Sequence, residues 1–359
     1  MKITVVGGGN IGTQFMVHCA AKGHEVTAYT SRPEIFSTHL NIVDDDGKTT
    51  LEGDIVCATY DAKTAFSDAD FIVVTLPSTM MRDIGRTIFE YSRPDALICA
   101  VPGNGGSECA FAKCIERGNT FFALERVPAV ARLVEKGRTV RSVGYRSELY
   151  AAAIPSACVD ECCKLIESIY DIPCKPIPSF LNLTITPSNP ILHTTRLRTI
   201  FKDYEPGVVY DKLPLFYEDW NDESSELLIR CDEEVQNICR ALPEFRLEFV
   251  RSLRIHYESP TVEAMTKKIS SIPAFKGLTT PSIAVEGGFI PDLHSRYFTA
   301  DFSFGLTIIK QIAEFAGVET PHIDELMAWY DRIALERDSF SYADYGIASR
   351  DDLKKFYLR

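Results

Sequence analysis

The sequence predicts an α/β domain built on a doubly wound, mostly parallel sheet, followed by an all-α C-terminal domain. Three observations carry this. Residues 2–30, KITVVGGGNIGTQFMVHCAAKGHEVTAYT, run strand, glycine turn, helix, strand. Continuous apolar runs then recur to about residue 155, as strands covered on both faces require. Beyond a proline-dense stretch, 173–190, the long segments carry helical spacing and no sustained alternation. At 359 residues two domains of ordinary size are expected, and we divide the chain into 1–178 and 179–359.

The first element is a short buried strand, Lys2 to Val6, entering Gly7-Gly8-Gly9-Asn10-Ile11-Gly12. An apolar helix follows to about Lys22 and is closed by Gly23, and a second strand covers Glu25 to Thr30. The G-x-G-x-x-G glycines have separate duties: Gly7 makes the tight turn, Gly9 lets a pyrophosphate approach the backbone, and Gly12 permits close helix–strand packing. The helix N-terminus offers unpaired amides and partial positive charge to the phosphates. Gly7, Gly9, Asn10, Ile11 and Gly12 are therefore the expected cofactor-binding turn of a Rossmann-type domain. The second strand ends Tyr29-Thr30-Ser31-Arg32, without the carboxylate that usually bonds the ribose of NAD. Hydroxyls and an arginine suit a 2′-phosphate, so Ser31 and Arg32 predict NADP(H) in preference to NAD(H). The alternative is a solvated Arg32 with an acid reaching in from elsewhere.

Further strands follow. DIVCATYD (54–61) reads as an added or antiparallel strand, and ADFIVVTLPS (69–78) and ALICAVPGNGG (96–106) as buried ones. The latter two end in turns at the cofactor edge, which assigns Pro77 and Asn104 to the nicotinamide side unless they serve only to end strands. NTFFALERV (119–127) and TVRSVGYRSELYAAAIP (139–155) continue the pattern. In the second half, DESSELLIRCDEEVQNICRAL (222–242) sets Leu227, Leu228, Cys231, Val235 and Ile238 on one helical face. EFRLEFVRSLRIHYE, TVEAMTKKISSI, FGLTIIKQIAEFAG and HIDELMAWYDRIALER behave alike.

Composition narrows the function classes. A formal net charge of −12 opposes nucleic acid and anionic lipid over the general surface. No apolar run approaches the roughly 18 residues that cross a bilayer, and the N-terminus starts a strand with no basic leader. A soluble, cytoplasmic protein is expected, without nucleic-acid or membrane partners. The eleven cysteines form no CxxC pair and no zinc-type spacing, which predicts free thiols and no metal.

Residues 187–197, PSNPILHTTRL, raise the question of what His193 does. Asn189 reads as a helix cap with Pro190 in the first helical position, placing His193 one turn in. There it is either a packed residue or a proton-handling group. With these residues in hand, the chain resembles the opine dehydrogenases of the octopine/nopaline dehydrogenase type over essentially its whole length. The resemblance is carried by RVPAVARLVEKGRTVRSVGYRSELYAAAIP (126–155), NPILH (189–193), HSRYFTADFSFGL (294–306) and GVETPHIDELMAW (317–329). Two positions depart from the family pattern: Ala300-Asp301 stands where Glu-Asp is frequent, and Ala131 where a cysteine is common.

The resemblance implies reductive condensation, in which an amino acid's amine and a 2-oxo acid (pyruvate or 2-oxoglutarate) form an imine that NAD(P)H reduces. It implies His193 as the acid–base group, because an imidazole can give and take protons near neutral pH. It implies Asp301 as the carboxylate fixing its tautomer, and Arg132, Asn189 and Arg296 as substrate-binding groups. Arg196 and Arg198 are further cations by proximity to His193, while Tyr217 and Trp220 read as core packing or as the border of the amino-acid side. A homodimer is the assembly to test. Two rival readings stay open: a 2- or 3-hydroxy acid dehydrogenase of the same two-domain build, and a nucleotide-binding regulator without turnover.

Overall fold

The structure, a computed structural model, describes residues 1–334 and 338–359, so the end of the last helical segment named above lies outside the described residues. The chain divides into two compact units, Met1–Leu183 with Lys355–Arg359, and Thr184–Lys354. The observed division falls slightly later than 178/179, and the final residues, assigned above to the helical domain, return to the first unit. The return has a local cause. The Tyr357 hydroxyl bonds to the buried carboxylate of Glu108, and the Ser156 amide donates to the Arg359 carbonyl at 3.0 Å.

In the first unit an eight-stranded sheet is ordered Cys174–Pro176, Leu149–Ile154, Phe121–Leu124, Leu97–Ala100, Phe71–Val74, Lys2–Val6, Glu25–Tyr29, Cys57–Thr59. Strands from Phe121–Leu124 to Cys57–Thr59 are parallel, so the segment at 54–61 is an added edge strand and not an antiparallel one. Leu149–Ile154 runs antiparallel to Phe121–Leu124 at the other end. Lys2–Val6 pairs with Glu25–Tyr29 on one side and Phe71–Val74 on the other, so the direction of winding switches at the glycine turn. Ile3, Val5, Phe71, Val73 and Phe122 are buried, and the Phe71 and Phe122 rings stack at 5.7 Å.

A second sheet departs from the expectation. Thr139–Val143 does not continue the large sheet but joins Val130–Glu135, His39–Val43 and Thr49–Asp54 in a four-stranded one. Gly144, with φ +64°, separates it from the next strand. Polar residues occupy much of these strands, so continuous apolar runs, the cue used above, are missing there.

The glycine turn separates what the fold demands from what it leaves free. Gly7 sits at φ +104°, and a Cβ on Gly12 would lie 1.8 Å from the Gly7 carbonyl oxygen. Both are required by the protein's own packing. A Cβ on Gly9 would meet no protein atom within 4 Å. Nothing inside the fold excludes a side chain there.

The second unit is built from helices, chiefly Ser188–Ile200, Asp222–Ala241, Val262–Ser270, Thr307–Ala316 and Pro321–Ile333. Asn221 and Thr261 cap two of them by accepting from the amides of Ser224 and Ala264. Its named strands among the described residues form a hairpin of Ser282–Val285 and Gly288–Pro291 turned by Gly287 at φ +86°. Strands of four residues are too short for alternation to stand out in the sequence. No helix among the described residues is long and apolar enough to cross a membrane, no cluster of potential metal ligands occurs, and the eleven cysteines are free.

Two stability predictions follow from this packing. Gly12→Ala should destabilise the protein by about 2–3 kcal/mol, whereas Gly9→Ala should change stability by less than about 1 kcal/mol; urea denaturation of both variants checks this. In the helical unit, burial pushes the Asp232 carboxyl up to about 6 from 3.8, although it accepts the Leu253 amide at 2.8 Å. The folded state therefore holds its proton more tightly than the unfolded state, and stability falls as pH rises from about 4 to about 6. Asp232→Asn should raise stability at pH 7.5 by about 2 kcal/mol and leave it unchanged near pH 4.

Candidate active site

The helix carrying His193 begins at Ser188, slightly earlier than expected, with the Ile191 amide bonded to the Pro187 carbonyl at 3.0 Å. Asn189 is therefore an exposed residue of the first turn and not the cap. Pro190 sits where a backbone N–H would lack an intrahelical partner in any case, so it is tolerated. Its ring packs against Gly305, where a Cβ would fall 2.6 Å from Pro190 Cγ. Only glycine allows that approach. Gly305 belongs to the π-helical segment Asp301–Leu306, in which its amide reaches back to the Ala300 carbonyl at 2.9 Å. Asp301 opens this segment and is thereby set against His193.

The imidazole is engaged at both nitrogens. Nδ1 lies 2.7 Å from Asp301 Oδ2, and the two side chains are 7% and 14% exposed. Nε2 lies 2.8 Å from the Tyr217 hydroxyl. The Tyr297 ring covers it at 4.3 Å between centroids, and Phe216 meets it edge-on at 6.0 Å. A carboxylate at Nδ1 accepts that N–H, which leaves Nε2 as the nitrogen that gains and loses a proton. Burial, then the neighbouring Tyr297, Tyr257 and Asp301, hold the Tyr217 hydroxyl well above the ordinary phenol range. It stays protonated and can donate to Nε2 whenever that nitrogen carries no proton.

Tyr217 is the residue that sequence reasoning missed. It does pack, stacking on Phe275 at 4.1 Å, but its hydroxyl faces His193. Trp220 is a core residue, its Nε1 donating to Ser225 Oγ at 2.9 Å. Tyr217 stands in an irregular segment with no periodicity to say where a side chain points, so no local cue was available.

The arginines separate into two kinds. Arg196, 2% exposed, donates to the carbonyls of Phe216 (2.8 Å), Asp219 (2.7 Å) and Leu215 (3.3 Å) and to Ser224 Oγ (3.2 Å). Burial lowers its pKa to about 10, so it remains charged near neutrality, with its donors spent on the protein. Arg198 pairs with Glu325 at 3.1 Å. Arg296 is exposed beside the Tyr297 ring at 5.6 Å, and no carboxylate among the described residues pairs with it. Arg132, in the first unit, is exposed on Val130–Glu135 and, among the described residues, donates only to the Ala131 carbonyl at 2.9 Å. Arg132 and Arg296 are thus the sequence-selected cations with capacity to spare.

The glycine turn of the first unit fits a dinucleotide diphosphate. Its helix, Asn10–Ala21, has no side-chain cap and no acid in the first turn, so the leading amides are left to an outside acceptor. Asn10 spends its side chain on the Leu133 amide at 2.8 Å, and Ile11 packs against the core, so each offers only backbone there. Ser31 and Arg32 are exposed after Glu25–Tyr29, and no carboxylate among the described residues pairs with Arg32. An acid does stand on the neighbouring strand's end: Asp61, whose carboxylate accepts the Thr64 amide at 2.7 Å. Pro77 leads into the helix Ser78–Tyr91, and Asn104 is exposed in the turn after Leu97–Ala100.

Comparison with known proteins agrees with this division of labour. Residues 176–334 match the family model of the NAD/NADP octopine/nopaline dehydrogenase alpha-helical domain, and residues 2–120 that of the NAD-dependent glycerol-3-phosphate dehydrogenase N-terminus. The chain is 27% identical to an opine dehydrogenase of Haliotis discus hannai, over 91% of this chain and 89% of that one. It is 26% identical to an octopine dehydrogenase of Pecten maximus, over 92% and 89%. An octopine dehydrogenase solved with NADH and L-arginine shares the fold at TM-score 0.84 and 23% identity, covering 98% of this chain and 97% of that one. The helical unit thus matches the octopine/nopaline dehydrogenase family model, and the chain as a whole is similar to opine and octopine dehydrogenases.

Proposed function

We propose that this protein is an NAD(P)H-dependent opine dehydrogenase, joining the amine of an amino acid to the carbonyl of a 2-oxo acid through an imine. The observation that carries the reading is the His193–Asp301 pair at 2.7 Å, in the unit that matches the family's helical domain. A reduced dinucleotide with its diphosphate at the Gly7–Gly12 turn would supply the hydride. His193 takes a proton from the attacking amine and returns one to the departing carbinolamine oxygen. Asp301 keeps Nδ1 protonated, so that both transfers use Nε2, and stabilises the imidazolium formed between them. Arg296, with Arg132 and Asn189, binds substrate carboxylates; Arg296 is favoured because it stands beside Tyr297, whose ring covers His193.

For the cofactor we favour NADP(H). Arg32 has no carboxylate partner among the described residues, and Asp61, the acid on that edge, is engaged as a helix cap. A 2′-phosphate would meet the Arg32 cation there, while Asp61 spends one of its oxygens on the Thr64 amide.

The test is a matrix of amino acids against pyruvate and 2-oxoglutarate, following NADPH and NADH in parallel. Oxidation should require both an amine and an oxo acid; turnover with the oxo acid alone would mark a hydroxy acid dehydrogenase, and none with any pair a regulator. His193→Ala should lower kcat by about 10²–10⁴-fold. Arg32→Ala should raise the KM for NADPH about tenfold and leave that for NADH nearly unchanged. A wild-type enzyme that uses NADH equally well would overturn the cofactor preference.

A further inference from the structure

We infer that the Tyr217 hydroxyl is the group through which His193 exchanges its proton with substrate, and that Arg196 is the positioning residue that keeps it there. The inference rests on the acid–base role proposed for His193. Asp301 occupies Nδ1, and the one remaining nitrogen, Nε2, is covered by Tyr217 at 2.8 Å. The imidazole is buried, so a proton leaving Nε2 meets the Tyr217 oxygen first. Tyr297, whose ring covers the imidazole at 4.3 Å, is only partly buried and adjoins exposed Arg296, which marks the side from which a substrate would reach the Tyr217 hydroxyl.

The segment carrying Tyr217 is irregular, yet its place relative to His193 is set by one rigid element. Arg196 lies on the same helix, three positions on, and therefore on the same side. Its guanidinium takes the carbonyls of Leu215 and Phe216 before Tyr217 and of Asp219 after it. Imidazole and hydroxyl are thereby fixed to one helical frame. A buried cation with its donors spent on three carbonyls and a serine is a costly way to close a loop. Holding a hydroxyl in line with a ring nitrogen accounts for it.

The step balances. Imidazolium Nε2–H gives its proton to the Tyr217 oxygen while the Tyr217 O–H proton passes to the hydroxyl oxygen of the carbinolamine. The C–O bond breaks and its electron pair leaves with the oxygen as water. The nitrogen lone pair forms the C=N bond, so the positive charge moves from imidazolium to iminium. In the earlier addition step the adding amine's N–H gives its proton to the Tyr217 oxygen as the Tyr217 O–H proton passes to Nε2, and the C–N bond forms as the carbonyl π pair moves to oxygen.

The experiment is a proton inventory on the single-turnover rate in mixtures of light and heavy water, together with Tyr217→Phe and Arg196→Lys. Two protons in flight should give a bowed inventory for the wild type. Tyr217→Phe should lose about 100-fold in rate, with its inventory straightened and its substrate KM changed less than about threefold. Arg196→Lys should show a smaller loss with the same straightening, which a role in folding alone would not produce. A straight wild-type inventory, or a Tyr217→Phe enzyme within twofold of wild type, overturns the relay. If His193→Ala is inactive while Tyr217→Phe is fully active, only the relay fails; if His193→Ala retains full rate, the acid–base reading itself has failed.

Discussion

A buried imidazole must satisfy both of its nitrogens, and the helical unit is arranged around that requirement at His193. Leaving either nitrogen without a partner would cost on the order of 1–3 kcal/mol. The unit supplies a carboxylate on one side and a hydroxyl on the other. Each comes from a distant part of the chain: Asp301 from a π-helical segment, Tyr217 from an irregular one. Each is held by its own device. Gly305 clears the room in which the first segment meets Pro190, and Arg196 rivets the second to the helix that bears His193.

The glycine turn of the first unit obeys a different economy. Gly7 and Gly12 are required by the protein's own packing, whereas a side chain at Gly9 would meet no protein atom. The same six residues thus combine positions that the fold demands with one that it leaves free. Asn10, anchored to Leu133, fixes the start of the helix without blocking its amides. The turn is built almost wholly from main chain, which is why spacing in the sequence reveals it so directly.

The arginines show how chemistry read from residue types must be sorted by burial. Arg196 and Arg296 look alike in the sequence, both being near a motif that matters. One is enclosed and bonded to four protein acceptors; the other is exposed with only an aromatic ring beside it. A cation can bind a substrate carboxylate only if its donors are free. That distinction depends on how loops close around a side chain and has no local correlate.

By itself the sequence determined what is local or repetitive. Strand, turn and helix at residues 2–30 follow from period and glycine spacing, and the helical second half from its apolar stripes. His193 and Asp301 stood out through short motifs, each with a residue type suited to proton transfer. Tertiary structure decided what depends on contacts between remote segments. The polar four-stranded sheet, the hairpin at 282–291, the helix start at Ser188, the role of Arg196 and the partnership of Tyr217 all belong there. In each case the deciding energy is packing or a hydrogen bond between residues far apart in the chain, and neither composition nor periodicity records such a pairing.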